Sequence, residues 1–137
     1  MKKIVHTIML VFSAGCAGGF TNSIIVWFFG LSGVNQALGV HLAPALTPAW
    51  LYPRLAWGGI WGLLFVLPIL AGRPIARGFL FSLGPTLVQL FIIFPLKAQQ
   101  GLMGLELGAM TPLLVIFFNF IWGLTAAYLL QVTENLK

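Results

Sequence analysis

His41 and Glu106 are the imidazole and the carboxylate of this chain with a chance to act together. Gly39-x-His41-Leu42 and Gly104-x-Glu106-Leu107 share one spacing, which sets the two side chains in matched positions. Side by side they would form a charge pair, a proton-handling couple or half of a metal site, because histidine titrates near neutral pH and a carboxylate neighbour favours its charged form. As solvated loop residues they would do none of this. A second group, Asn22, Gln89 and Asn119, lies inside apolar runs with Ser23, Ser82, Thr86 and Thr125 beside it. Amides in hydrocarbon bond across helices, or, where they converge, line a narrow polar route for a solute. Other chemistries lack their residues. Nucleophilic hydrolysis needs a base and an orienting acid beside Ser or Cys, yet the chain has 2 acidic residues and 2 histidines, which fall at different span ends. Glu106 and Glu134 lie on opposite sides, so paired-carboxylate catalysis fails. Zinc-ligand spacings do not occur. Met103 and Met110 could join His41 and Glu106 around copper, but methionine in apolar runs is packing material. No catalytic residue, metal or cofactor is expected, and the chain reads as a non-enzyme.

The elements that would position these residues are membrane spans. The chain is 60% hydrophobic and 7% charged over 137 residues, with a mean hydropathy of +1.03. That is more apolar surface than a soluble domain of this size can hide in one core, so lipid is the expected partner. Four apolar runs, residues 4–31, 55–71, 78–96 and 108–132, have lengths near the ~20 residues that cross ~30 Å of hydrocarbon as helix. They do not alternate as barrel strands would. With the N-terminus cytoplasmic, Lys2, Lys3, Arg73, Arg77 and Lys137 lie inside and Arg54 and Lys97 outside, which satisfies the positive-inside rule. Both termini are then cytoplasmic, in a bacterial inner membrane. Trp27, Trp50, Tyr52 and Trp57 fall near the outer interface and Tyr128 near the inner one. The net charge of +5 is spread over span ends without an aromatic-interleaved basic patch, so nucleic acid is not an expected partner.

The two halves of the chain repeat each other. Gly19-Phe20-x-x-Ser23 recurs as Gly78-Phe79-x-x-Ser82, Ala45-Leu46-Thr47-Pro48 as Ala109-Met110-Thr111-Pro112, and Ile60-Trp61-Gly62-Leu63 as Ile121-Trp122-Gly123-Leu124. With the His41 and Glu106 match, the offsets are 59, 65, 64 and 61. One unit of about sixty residues used twice fits these matches, with repeats at 1–71 and 72–137 in a single transmembrane domain. Because both begin inside, they would be parallel, related by a pseudo-twofold along the membrane normal. Gly15-x-x-x-Gly19 and Gly58-x-x-x-Gly62 offer flat strips on which the first two spans can pack, and Gly123-x-x-x-Ala127 offers another on the fourth. The proline-rich, apolar stretch from Ser32 to Arg54 is expected as an interfacial or re-entrant segment. Thr111-Pro112, and by the repeat Thr47-Pro48, would open helices with Thr as cap.

Lys2-Lys3 followed by Ser13-Ala14-Gly15-Cys16 resembles a bacterial lipoprotein signal. Ser13 stands where that signal wants an aliphatic residue, and the apolar run continues beyond the ~7–15 residues of a signal core. Four short spans also resemble, in number, the fluoride channels and the small multidrug-resistance transporters. The chain lacks the latter's glutamate in the first helix and the former's phenylalanine and threonine pore motifs, so neither family is assigned. The expectation is an all-α integral membrane four-helix bundle of two parallel-related helical hairpins. It would be an accessory, structural or regulatory membrane protein acting through helix packing, as a homo-oligomer or in a larger membrane complex. The alternative is a small oligomeric transporter or channel with a route past Asn22, Gln89 and Asn119.

Overall fold

A computed structural model describes residues 1–135; Lys137, counted above among the inner basic residues, lies outside them. Helix α1 spans Lys2–Leu31, the one-turn α2 Val34–Ala37, α3 Pro48–Gly62, α4 Pro74–Val88 and α5 Thr111–Asn135. Every regular element among the described residues is helical. Three stretches, Lys2–Leu31, Pro74–Lys97 and Thr111–Asn135, are long and apolar enough to cross a membrane.

The helix expected at 55–71 begins and ends earlier, covering residues 48–66. It begins at Pro48 because the Thr47 hydroxyl accepts the Trp50 N–H at 3.2 Å and Pro48 fills the first helical position, where its missing N–H costs nothing. It tightens to a 3-10 turn over Leu63–Val66 and ends at Leu67, which is extended (φ −70°, ψ 127°), the conformation that the ring of Pro68 imposes on its predecessor. Fifteen α-helical residues alone measure about 22 Å. The 4 residues of 3-10 helix, at about 2.0 Å each, bring the rod to about 30 Å, the thickness of the hydrocarbon core.

In α4 the prolines act differently. After Val88 the turns widen to π-helix over Gln89–Lys97, and the Ala98 N–H donates to the Ile93 carbonyl at 2.7 Å. Wide turns accommodate Pro95, which has no N–H to give and whose ring would crowd a regular helix.

Helix contacts fix the directions. Gly15 faces Gly58 and Gly62 while Gly19 faces Arg54 and Leu55, so α1 and α3 are antiparallel. Gly78 faces Gly123 and Thr86 meets Asn119, so α4 and α5 are antiparallel too. Met1 and Asn135 therefore lie at one end of the molecule, and residues 32–47 and 98–110 at the other. The strips Gly15-x-x-x-Gly19 and Gly58-x-x-x-Gly62 pack against each other directly: a Cβ on Gly58 would lie 2.7 Å from the Gly15 carbonyl oxygen, and one on Gly62 2.9 Å from the Gly15 Cα. The indole of Trp122 fits beside this seam. Its Nε1 donates to the carbonyls of Gly15 at 3.1 Å and Gly58 at 3.3 Å, and it joins Val11, Ala14, Phe65, Phe81, Ala126 and Ala127 in the main core. Trp61, its match in the first half, packs on that same cluster and faces Gly84 of α4.

The loop end is closed by folded-back chain. After α2 the chain turns at Gly39 and runs without regular structure to Thr47, and Val40, fully buried, packs with Val26, Leu114 and Phe118. Asn35 Nδ2 donates to the Leu42 carbonyl at 2.8 Å. The segment from Ser32 to Arg54, expected as interfacial or re-entrant, is thus one turn of helix, a strap across the ends of α1 and α5, and the first turns of α3. The matching threonines differ as well: Thr47 caps α3, whereas the Thr111 hydroxyl is buried without a partner, so the expected cap of α5 is not made. At the opposite end, residues 1–9 are exposed.

Gly58→Val should lower the melting free energy in detergent by about 1–3 kcal/mol, since backbone on both sides of the seam leaves the added methyls no room. Ala56→Val, which adds two of the same three carbons on the exposed side of α3, should leave it within about 0.5 kcal/mol. Equal melting of the two variants would refute the close seam.

Candidate functional site

Arg54 stands in the second turn of α3. Its side chain leans toward the helix N-terminus, the direction helical side chains take, and its guanidinium lies 4.6 Å from the ring of Trp50 one turn away. From there it reaches α1. Nε donates to the Ser23 hydroxyl at 2.8 Å and Nη2 to Asn22 Oδ1 at 2.7 Å. The Ser23 hydroxyl donates in turn to the Gly19 carbonyl at 2.7 Å.

Asn22 carries the connection onward. Its amide nitrogen donates to the Phe118 carbonyl at 2.6 Å and to Asn119 Oδ1 at 3.5 Å. Asn119 Nδ2 donates in turn to the Thr86 hydroxyl at 3.1 Å and to Gln89 Oε1 at 3.3 Å. Hydrogen bonds thus run from α3 through α1 and α5 to α4. Asn22, Ser23, Thr86 and Asn119 are buried, while Arg54 and Gln89, at the two margins, are half-buried. Ser23 is 8 residues from the end of α1 at Leu31, and Asn119 is 8 from the start of α5 at Thr111. At 1.5 Å per residue the layer lies about 12 Å inside the loop end.

Of the residues singled out in the sequence, Asn22, Asn119 and Gln89 are therefore brought together, and Gly15, Gly19, Gly58, Gly62 and Gly123 line helix contacts. His41 and Glu106 share the loop end, and their loops meet where the His41 N–H donates to the Leu107 carbonyl at 2.8 Å. Both residues are exposed, and the link between the loops is made by backbone. Among the described residues no three of His, Cys, Asp or Glu converge. Arg54 and Trp122 were missed by sequence reasoning. Arg54 was placed in an outer loop, although Thr47-Pro48 already marked a helix start that carries it inside; nothing in the sequence pairs Trp122 with the seam.

The layer's chemistry is that of neutral amides and hydroxyls around one guanidinium. Both hydrogen-bond partners of Arg54 are neutral, and the two glutamates are exposed, Glu106 at the loop end and Glu134 in the last turn of α5. Two surface grooves lie away from the layer. One, of about 840 Å³, runs between the start of α1 at Lys3 and Ile4 and the Trp57 to Leu67 stretch; the other, of about 500 Å³, is bordered by Arg73, Phe79, Phe120 and Tyr128. No protein-family model, curated protein or solved structure matches this chain.

Asn119→Leu should cost about 1–2 kcal/mol of stability, the range of polar contacts between membrane helices. In a double-mutant cycle with Gln89→Leu, thermal melting should show the two losses to be less than additive; strict additivity would show that the amides do not interact. His41→Ala should shift melting by less than about 0.5 kcal/mol, as exposed substitutions do.

Proposed function

We propose that this chain is an accessory protein of a bacterial inner membrane, non-enzymatic, which stabilises or regulates a larger membrane complex through helix packing. In this reading four segments cross the bilayer as two duplicated hairpins, both termini are cytoplasmic, and neither cofactor nor nucleic acid takes part. The α3 rod with its 3-10 extension has the length for the fourth crossing, and the basic residues of Lys2, Lys3, Arg73 and Arg77 on the terminal side agree with that orientation.

One observation carries the reading. The amides that could line a route are bonded to one another: Asn22 to α5, Asn119 to Thr86 and Gln89. Groups used in this way tie helices together and leave the hydrophobic exterior as the working surface. That exterior includes Phe20 and Phe28 of α1, Leu87 and Phe91 of α4, and Leu113 and Phe117 of α5, all exposed. The bare start of α1, residues 1–9, adds a helix end around which another span can pack. The carrier alternative draws on one feature, the half-buried Gln89 and Arg54 at opposite margins of the layer.

Purification from the native membrane in mild detergent should yield the chain with a second membrane protein at fixed stoichiometry through size exclusion. Proteoliposomes of the pure chain should leak small solutes no faster than empty ones. A solute flux that Asn119→Leu abolishes while melting stays cooperative would replace the accessory reading with the carrier.

A further inference from the structure

Among the described residues Arg54 is a cation without an anion. A guanidinium carries five N–H donors, of which two are used, on Ser23 and Asn22, leaving 5 − 2 = 3. Both acceptors are uncharged, so the positive charge is oriented by the protein and not neutralised by it. Charged side chains within a membrane are costly unless paired. The side chain is held by hydrogen bonds on one edge and by the ring of Trp50 on one face, and it remains partly exposed, so the remaining donors form a fixed fork open to the surroundings. A guanidinium edge matches two oxygens of one oxyanion.

The repeat gives an independent reason to regard this as a site. The offset of 59 maps Asn22 onto Phe81, and the offsets of 64 and 61 map Arg54 onto Phe118 and Val115, all three buried and apolar. The matched positions of the second half thus serve the core with hydrocarbon side chains. In the first half the same places hold a guanidinium and the amide that both orients it and ties α1 to α5.

We propose that Arg54, oriented by Ser23 and Asn22 and backed by Trp50, binds an oxyanion of the phosphate class. The source is a lipid headgroup phosphodiester or a free phosphate-type anion. The site stands whether the chain is an accessory protein or a carrier, since it concerns only the counter-charge of Arg54.

The test uses full-length protein in nonionic detergent, washed until lipid phosphorus is no longer detected. Sodium phosphate is titrated against sodium chloride at matched ionic strength, and dioleoylphosphatidylglycerol against dioleoylglycerol in mixed micelles. Tryptophan emission is followed in the natural protein and in Trp50→Phe, and their difference isolates Trp50. A saturable change in Trp50 emission is expected, with affinity weakened about tenfold in Arg54→Gln and less in Arg54→Lys, which keeps the charge and loses the fork. Saturation with phosphate identifies a free oxyanion; saturation with phosphatidylglycerol alone identifies a headgroup. No saturable response to either, an equal response to dioleoylglycerol, or unchanged affinity in Arg54→Lys and Arg54→Gln overturns the proposal. Should Arg54→Gln not fold, the natural protein and Arg54→Lys decide it.

Discussion

The indole N–H of Trp122, held between the carbonyls of Gly15 and Gly58, is the contact on which the arrangement of helices depends. Helices immersed in hydrocarbon gain nothing from hiding apolar side chains from one another, because lipid tails are as apolar as leucine. Close backbone approach and satisfied polar groups must supply the attraction. Glycines at 15, 58 and 62 bring the backbones of α1 and α3 together, and Trp122 delivers α5 to the same point. A larger residue at any of the three would part the seam and leave a buried donor unpaired, which costs more than the bond itself contributes. The same anchoring sets the polar layer. Asn119 is 3 residues before Trp122 and Asn22 is 7 after Gly15, spacings that keep each pair on one helix face. Once the indole is seated, the two asparagines face each other.

The molecule is secured differently at its two ends. At the loop end, the strap through Val40 and the cross-link from His41 N–H to Leu107 tie residues 38–42 to the segment before α5. At the terminal end, Arg77 makes the closure: its Nη2 donates to the carbonyls of Phe65 at 2.7 Å and Leu67 at 3.1 Å, acceptors that the finish of the 3-10 turn leaves free. Its guanidinium also lies 5.2 Å from the ring of Phe65, which meets Phe81 edge-on at 4.9 Å. One cation thereby joins the end of α3 to the start of α4 across the turn at Gly72. The first residues of α1 take no part in this closure.

Much of this was legible in the sequence. Apolar run length announced the long helices α1, α4 and α5, and small-residue spacing identified the faces of α1 and α3 that meet, because glycine in a hydrocarbon-bound helix has few purposes other than close approach. The limits of α3 were harder to read. Hydropathy counts Arg54 against a span and Pro68 only mildly, whereas the backbone responds to the Thr47 cap and the Pro68 stop, and these local rules prevailed. The matched motifs also concealed a difference. Thr47 and Thr111 stand in the same tetrapeptide pattern, yet Thr47 lies exposed and free to cap, while Thr111 is packed beneath the loop with a Cβ on Gly104 only 2.9 Å from its methyl group. Tertiary crowding, invisible to a motif, decides which threonine caps.

The amide of Asn119 serves two acceptors across the α4–α5 contact. Thr86 and Gln89 are 3 residues apart and so share a face, and an amide nitrogen carries two N–H donors, one for each. The wide turns start at Gln89 itself, where a change in winding re-aims the side chains that follow. Pro95, six residues on, gives the helix a reason to widen, since the ring excludes a regular hydrogen bond there. Widened turns inside helices are frequent at functional sites. In this chain the widening lies beside the half-buried Gln89, across the layer from Arg54. Both margins of the layer are therefore specialised, one by a proline-driven change of winding and the other by a guanidinium, while the asparagines between them only connect.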